Sequence, residues 1–167
     1  MLKMEKIGLS RKRGFTLVEL LVTIAVMSVM LLVGMPALLS QISHIHLSRS
    51  ARDVLGELNA ARMKAISRNM EYRVFFTRNP TPQADTYRVQ FRTSPAAAWQ
   101  NDATIRSIQK NVDITAPGAG DFNVEFNPGG SVEVAASICL RNNNDTSDKM
   151  TVQVIAATGR TAIGDGC

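Results

Sequence analysis

The feature that most constrains this chain is an apolar run at residues 15–39 that carries a single formal charge. At about 1.5 Å per residue, a helix of this length reaches across a hydrocarbon core about 30 Å thick. The charge is Glu19, which lies near the start of the run. Because a carboxylate costs about 2.5 kcal/mol or more at the centre of a bilayer, its presence predicts a function for that side chain.

A basic segment precedes the apolar run and ends at Gly14. It holds one acidic residue, Glu5, and five basic ones: Lys3, Lys6, Arg11, Lys12 and Arg13. Of the 19 basic and 14 acidic residues that give the chain its net charge of +5, removal of residues 1–14 leaves 14 and 13, a net charge of +1. The basicity therefore belongs to the leader and gives little support for nucleic-acid binding. By the positive-inside rule, it predicts a cytoplasmic N-terminus with the rest of the chain outside.

Two other interpretations of the N-terminus stay open from the residues alone. An ordinary secretory signal has its small-residue cleavage site after the apolar core. Here Gly14 lies before the core, and Ser40 is a weaker alternative site near its end. An uncleaved single-pass anchor explains the hydrophobicity but not Gly14, Phe15 and Glu19 together.

Gly34 and Pro36 interrupt the end of the run and predict a helix kink, since proline removes one backbone hydrogen bond. The kink serves either as a flexible point or as a simple exit from the membrane. Residues 40–69 then predict an amphipathic continuation of the helix. Its apolar stripe, widened by Leu55 and Ile66, follows steps of four and three: Leu47, Ala51, Val54, Leu58, Ala61 and Ala65.

After Asn69 the hydrophobic period changes to two, which predicts strands. The clearest segments are residues 72–76, 87–92, 122–126 and 151–155, the last of them expected to be the final strand. Residues 105–114 predict one long strand or a strand pair, residues 132–140 a strand, and residues 94–102 a loop containing Trp99. One long helix followed by an antiparallel sheet region, residues 70–167, is an α+β arrangement.

Cys139 and Cys167 are the two cysteines of the chain. In an oxidising compartment they are expected to form a disulfide, worth about 3 kcal/mol by loop entropy. The alternatives are two free thiols, or one of the cysteines pairing elsewhere.

Arg13-Gly14-Phe15 followed by Glu19 resembles the prepilin-type signal of type IV pilins and of the pseudopilins of type II secretion. Three later segments are similar to the GspH/FimT family: Leu58–Arg68, Phe126–Gly130 and Thr158–Arg160. The resemblance implies a pilin-like fold, cleavage between Gly14 and Phe15, and N-methylation of Phe15. It also implies that Glu19 neutralises the N-terminal amine of a neighbouring subunit, and that the protein is a minor pilin or minor pseudopilin.

The same resemblance implies a bacterial inner-membrane protein with a periplasmic domain, which later enters a filament. Its partners are then other pilin or pseudopilin subunits, the prepilin peptidase and N-methyltransferase, the inner-membrane assembly platform and membrane lipid. A type IV pilus and a type II secretion pseudopilus both stay open as the machine.

Other functions have weaker support in the sequence. Some family members bind DNA through a Gly-Arg-x-Arg motif, but here Arg160 is followed by Thr161 and Ala162, so nucleic acid is an alternative with one candidate residue. His44 and His46 point to different faces of a helix and make a poor metal pair. The oxygen-rich segment 142–148 lacks the glycine and terminal glutamate of an EF-hand, and Asx turns explain it. We expect neither a cofactor nor enzymatic activity.

Overall fold

The computed structural model describes residues 14–80 and 82–167, except that the side chains of residues 32–41 are not described. Helix α1 (Leu17–Arg68) comes first. The strands that follow are β1 (Glu71–Thr77), β2 (Thr86–Arg92), β3 (Gln100–Asn101), β4 (Arg106–Ser107), β5 (Val112–Ala116), β6 (Phe122–Phe126), β7 (Ala136–Asn142), β8 (Lys149–Val154) and β9 (Thr161–Asp165). The chain divides into two compact units, one ending at Leu38 and the other spanning Leu39–Cys167.

Within the second unit, α1 buries the apolar stripe that the sequence predicts. All six predicted residues, Leu47, Ala51, Val54, Leu58, Ala61 and Ala65, are at most 1% exposed. Leu55 packs against the core from its edge, whereas Ile66 is 44% exposed and widens the stripe little. Three of the six are alanines, which allow the sheets to approach the helix closely.

The end of α1 is a left-handed cap. Asn69 has a φ of 52°, and the backbone N–H of Met70 donates to the carbonyl O of Ala65 over 3.3 Å. This is the Schellman arrangement, which satisfies a carbonyl that the helix leaves free. The helix ends at Arg68, within one residue of the end at Asn69 that the sequence predicts.

The first sheet has the order β3-β2-β1-β6, and β4 also pairs with β2. β1 pairs antiparallel with both β2 and β6, so Tyr72 lies opposite Phe91 on one side and Phe126 on the other. Alternate residues of β1, Tyr72, Val74 and Phe76, are fully buried. The period of two thus places one face of this sheet on the core.

The second sheet has the order β5-β7-β8-β9, with every pair antiparallel. Ile114, Ile138, Leu140 and Val152 of this sheet are fully buried. They belong to the same core cluster as the helix stripe and the inner face of the first sheet.

Four strand predictions need correction. Residues 105–114 contain β4 and the start of β5, which belong to different sheets, because Asn111 turns the chain with a φ of 64°. Residues 94–102 include the short strand β3. Val132 makes only an isolated bridge with Phe126, and β7 begins four residues later. Finally, β8 is followed by β9, whose single large apolar residue gave too weak an alternation to be recognised.

Asp85 links the two sheets from a buried position, 3% exposed. Its carboxylate accepts one hydrogen bond from the backbone N–H of Asn79 and one from that of Ile114, each over 2.8 Å. Its own carbonyl accepts from the N–H of Ile108, also over 2.8 Å. Asp85 thus joins the segment between β1 and β2 to β5.

Candidate assembly and processing site

Gly14 and Phe15 lie just before the first turn of α1, and Thr16 caps that turn. The backbone N–H of Glu19 donates to Thr16 Oγ1 over 3.2 Å, and the N–H of Leu20 donates to the carbonyl O of Thr16 over 3.2 Å. Thr16 is therefore the N-cap and Glu19 the third helical residue, the spacing of a capping box. A carboxylate there also lies at the favourable end of the helix dipole. This capping role is not among the sequence predictions, although the Thr-x-x-Glu spacing signals it.

The rest of this helical segment presents an apolar surface on all sides. Phe15, Leu17 and Met30 are 75%, 78% and 71% exposed, and the large apolar residues between them are at least half exposed. The hydroxyls of Thr23 and Ser28 donate to helix carbonyls over 2.7 Å each, so these two polar groups are satisfied within the helix. Among the described residues, no side chain pairs with the carboxylate of Glu19. The exposed carboxylate of Glu19 is therefore surrounded by exposed apolar side chains of the same helix.

Part of the predicted site falls outside the described residues. The basic leader up to Arg13 lies there. Helix α1 continues through Gly34 and Pro36, but the side chains of these residues are not described, and the kink stays a prediction. Among the residues that the structure describes, no helix combines the length and the apolar character needed to cross a membrane.

In the second unit, the structure brings the three family-like segments together. Arg62 Nε, from the helix segment, donates to the carbonyl O of Gly130 over 3.0 Å. Gly159 packs against the same place: a Cβ on it would lie 3.1 Å from Arg62 Nε and far inside van der Waals contact of the Gly130 carbonyl. Both glycines have positive φ, 79° and 61°. These motif residues thus form a close-packed contact that joins α1 to two turns.

Cys139 and Cys167 form a disulfide in the structure, with their Cα atoms 5.8 Å apart. Two hydrogen bonds also hold this C-terminal tail. The N–H of Gly166 donates to the carbonyl O of Lys149 over 3.0 Å, and Thr151 Oγ1 donates to the carbonyl O of Gly166. The disulfide therefore holds the last residues across β8.

The remaining sequence candidates lie apart from one another. Arg160 is exposed, and the hydrogen bonds that its backbone makes shape the turn between β8 and β9. His44 Nδ1 lies 3.1 Å from an oxygen of Asp148. Asx turns occur in the oxygen-rich loop as predicted, with backbone N–H groups donating to Asn142 and Asp145. In the described part of the chain, no group of three or more residues could hold a metal ion.

Trp99 is an anchor for its loop. The guanidinium carbons of Arg73 and Arg92 lie 4.2 Å and 4.6 Å from the centre of its ring, on the outer face of the first sheet. Burial lowers the pKa of Arg73, although Glu125 opposes that effect. This stacking holds the loop against the sheet.

Comparison with known proteins agrees with this geometry. Residues 9–35 match the prokaryotic N-terminal methylation motif. The type IV minor pilin FimU of Pseudomonas aeruginosa has a similar structure, with 10% identity and a TM-score of 0.52 over 71% of this chain and 92% of that chain. The minor pseudopilin EpsH of the type 2 secretion system of Vibrio cholerae has 11% identity and a TM-score of 0.52 over 72% of this chain and 97% of that chain. No curated protein is significantly similar in sequence.

The likeness in structure shows an α+β, pilin-like fold. The chain thus combines this fold with an N-terminal methylation motif, and the motif contains Gly14, Phe15 and Glu19.

Proposed function

We propose that this protein is a minor pilin or minor pseudopilin, which assembles into or primes a type IV pilus or a type II secretion pseudopilus. The methylation motif at residues 9–35, with Glu19 in the first turn of α1, carries this proposal. The pilin-like fold supports it. The partners are then other pilin or pseudopilin subunits and the processing enzyme, and we expect no catalytic activity of the chain itself.

Processing is the first step in this proposal. Cleavage between Gly14 and Phe15 removes the basic leader and creates an amine on Phe15, which is then methylated. Before assembly, residues 15–39 hold the protein in the inner membrane, with a cytoplasmic N-terminus and with the second unit in the periplasm.

Glu19 then provides the charge for assembly. A carboxylate in an apolar environment is costly unless a cation compensates it. The N-terminal amine of a neighbouring subunit is such a cation, and the exposed apolar surface around Glu19 supplies the contact between helices. The capping hydrogen bond from the Glu19 N–H to Thr16 uses the backbone, so it leaves the carboxylate available.

Processing is tested on protein isolated from membranes of the producing bacterium. Intact-mass measurement and N-terminal sequencing should show a chain that starts at methylated Phe15. Gly14→Val should leave the full-length chain, because the cleavage site is changed. A mature chain that starts near residue 40 would contradict the proposal.

The role of Glu19 is tested by separating its charge from its place in the helix cap. Glu19→Gln keeps a residue that is favourable at this capping-box position but removes the charge. We expect this variant to be processed and folded normally, yet to be lost from sheared filaments or to impair secretion by at least tenfold. Asp165→Asn, which neutralises an exposed carboxylate in β9, is the matched control and should assemble normally. Normal assembly of the Glu19→Gln protein would rule out the charge-pairing role.

A further inference from the structure

The first turns of α1 in the second unit have an exposed face to which the proposed function gives no role. Four residues at steps of three and four form it: Ile42, Ile45, Arg49 and Arg52. Both isoleucines are 45% exposed, and both arginines are exposed. At about 3.6 residues per turn, these steps keep all four on one side of the helix, opposite the buried Leu47. We call this side the 42–52 face.

The arginines of the 42–52 face have no acidic partner. In the part of the chain that the structure describes, no ion pair involves Arg49 or Arg52. Asp53 is exposed next to them in the sequence, but at about 100° per residue it lies about 60° from the centre of the face. Two guanidinium groups therefore point outward beside exposed apolar side chains.

Acidic groups lie on the other side of the helix. The turn between β7 and β8, residues 143–148, contains two aspartates and contacts α1. Asn144 Nδ2 donates to Ser43 Oγ over 2.9 Å, and an oxygen of Asp148 lies 3.1 Å from His44 Nδ1. Ser43 and His44 lie about 120° and about 140° round the helix from Arg49. One side of this end of the second unit thus attracts anions, whereas the side that carries the turn repels them.

The order of these residues along the chain fits a membrane boundary. The two isoleucines closely follow the apolar run 15–39, and the arginines come next. A helix that leaves a bilayer likewise passes from the acyl chains to the phosphates of the headgroups. Guanidinium groups bind phosphate through paired N–H donors, and a surface of anionic lipid attracts them further.

The spacing of the charges fits the same boundary. No Asp, Glu, Lys or Arg lies between Glu19 and Arg49, which are thirty positions apart. A helix of thirty residues is about 45 Å long, and a bilayer with its headgroup regions is about 40–45 Å thick. Glu19 and Arg49 can therefore lie in the headgroup regions of opposite leaflets at the same time. In that register the carboxylate avoids the bilayer centre, where it is most costly.

We propose that the 42–52 face lies in the headgroup region of the periplasmic leaflet and that Arg49 and Arg52 bind the phosphates of anionic phospholipids there. Ile42 and Ile45 contact the upper part of the acyl chains. These contacts fix the depth of the anchor and hold Glu19 at the opposite surface until assembly. The inference rests on the proposed function, because it requires residues 15–39 to anchor the chain in the inner membrane.

The test uses the full chain with ¹³C in its arginine guanidinium carbons, reconstituted at a low protein-to-lipid ratio in bilayers that contain phosphatidylglycerol. Solid-state nuclear magnetic resonance measures dephasing of these carbons by lipid ³¹P, which reports direct contact. We expect signal from Arg49 and Arg52 and from the leader arginines, Arg11 and Arg13. Arg49→Gln with Arg52→Gln should therefore remove about half of the dephased signal.

Arg160→Gln is the matched control, since it removes an exposed arginine elsewhere in the second unit, and it should leave the dephasing unchanged. Near-ultraviolet circular dichroism should be the same for all three proteins. Replacing phosphatidylglycerol by phosphatidylcholine should lower the difference between wild type and the double variant at least twofold.

Three results would overturn the inference and leave the proposed function intact, provided that the chain resists extraction from the bilayer by carbonate. They are equal dephasing in wild type and the double variant, an equal difference in both lipids, and a difference that disappears when the protein is diluted with lipid. The last result would assign the 42–52 face to contact with a second copy. A chain that carbonate extracts would overturn both proposals.

Discussion

Single residues set the closest contacts in this fold, and Gly159 is the clearest case. Its φ of 61° lies in the region that favours glycine, and the position faces both Gly130 and Arg62. A side chain is therefore excluded for two independent reasons, conformation and space. The resemblance of Thr158–Arg160 to a family motif thus has a physical basis in packing.

We predict that Gly159→Ala lowers the free energy of unfolding by about 2–3 kcal/mol, from backbone strain and from overlap with the Gly130 carbonyl. Gly164→Ala is the control, because a Cβ at that position meets nothing within 4 Å. Urea denaturation followed by circular dichroism measures both variants. Equal stability of the two would show that the turn relaxes freely around Gly159.

At the scale of elements, charged side chains fasten the end of α1 to the loop after β3. Lys64 Nζ and Arg68 Nη1 donate to the two carboxylate oxygens of Asp102 over 2.6 Å and 3.0 Å. Burial raises the pKa of Asp102, but the hydrogen bonds and charges of the two cations outweigh it, so the pKa is lowered overall. The Asp102 side chain is only 10% exposed, whereas those of Lys64 and Arg68 are 35% and 49% exposed. Solvent therefore screens the pairs in part.

We predict that Asp102→Asn destabilises the protein by about 1 kcal/mol at pH 7, the upper range for partly exposed ion pairs. Because the folded-state pKa is below the unfolded value of about 3.9, this contribution is complete above about pH 5 and is lost as the pH falls through the folded value. The stability difference between wild type and variant should therefore shrink between pH 5 and pH 2. Asp113→Asn, for which the described residues show no ion pair, should be nearly neutral. A difference that does not change with pH would contradict the electrostatic explanation.

At the scale of the whole molecule, the disulfide closes a long segment of the second unit. It joins residues 28 positions apart and ties the tail to the centre of the second sheet. β9 lies between the two cysteines in the sequence, forms an edge of the second sheet and has few large apolar residues. The disulfide therefore adds stability where apolar packing is weak.

We predict that Cys139→Ala with Cys167→Ala lowers the free energy of unfolding by about 3 kcal/mol, mainly through the entropy of the unfolded chain. Wild-type protein kept in reductant should match the variant, and the variant should be insensitive to reductant. Thermal unfolding of all four samples measures this. If reductant lowers the stability of the variant as well, the effect does not come from this disulfide.

Local patterns account for much of what the sequence predicts correctly. The apolar run, the motif around Gly14 and Glu19, the buried stripe of α1 and the strands with large alternating side chains all depend on periodicity or on neighbours close in the chain. The Thr16 cap was equally local and could have been predicted. The short strands β3 and β4 and the weakly apolar β9 could not, because a few residues with little apolar contrast carry no reliable period.

The apolar N-terminal segment with one acid, the long amphipathic helix and the presence of antiparallel strands can all be read from the sequence. Only the folded structure shows which strands share a sheet, that Asp85 joins the two sheets, and that Arg62, Gly130 and Gly159 meet. The physical reason is that helix and strand periods arise within a few residues along the chain. Sheet membership and close contacts such as Arg62 to Gly130, 68 residues apart, are instead chosen by how the whole core packs.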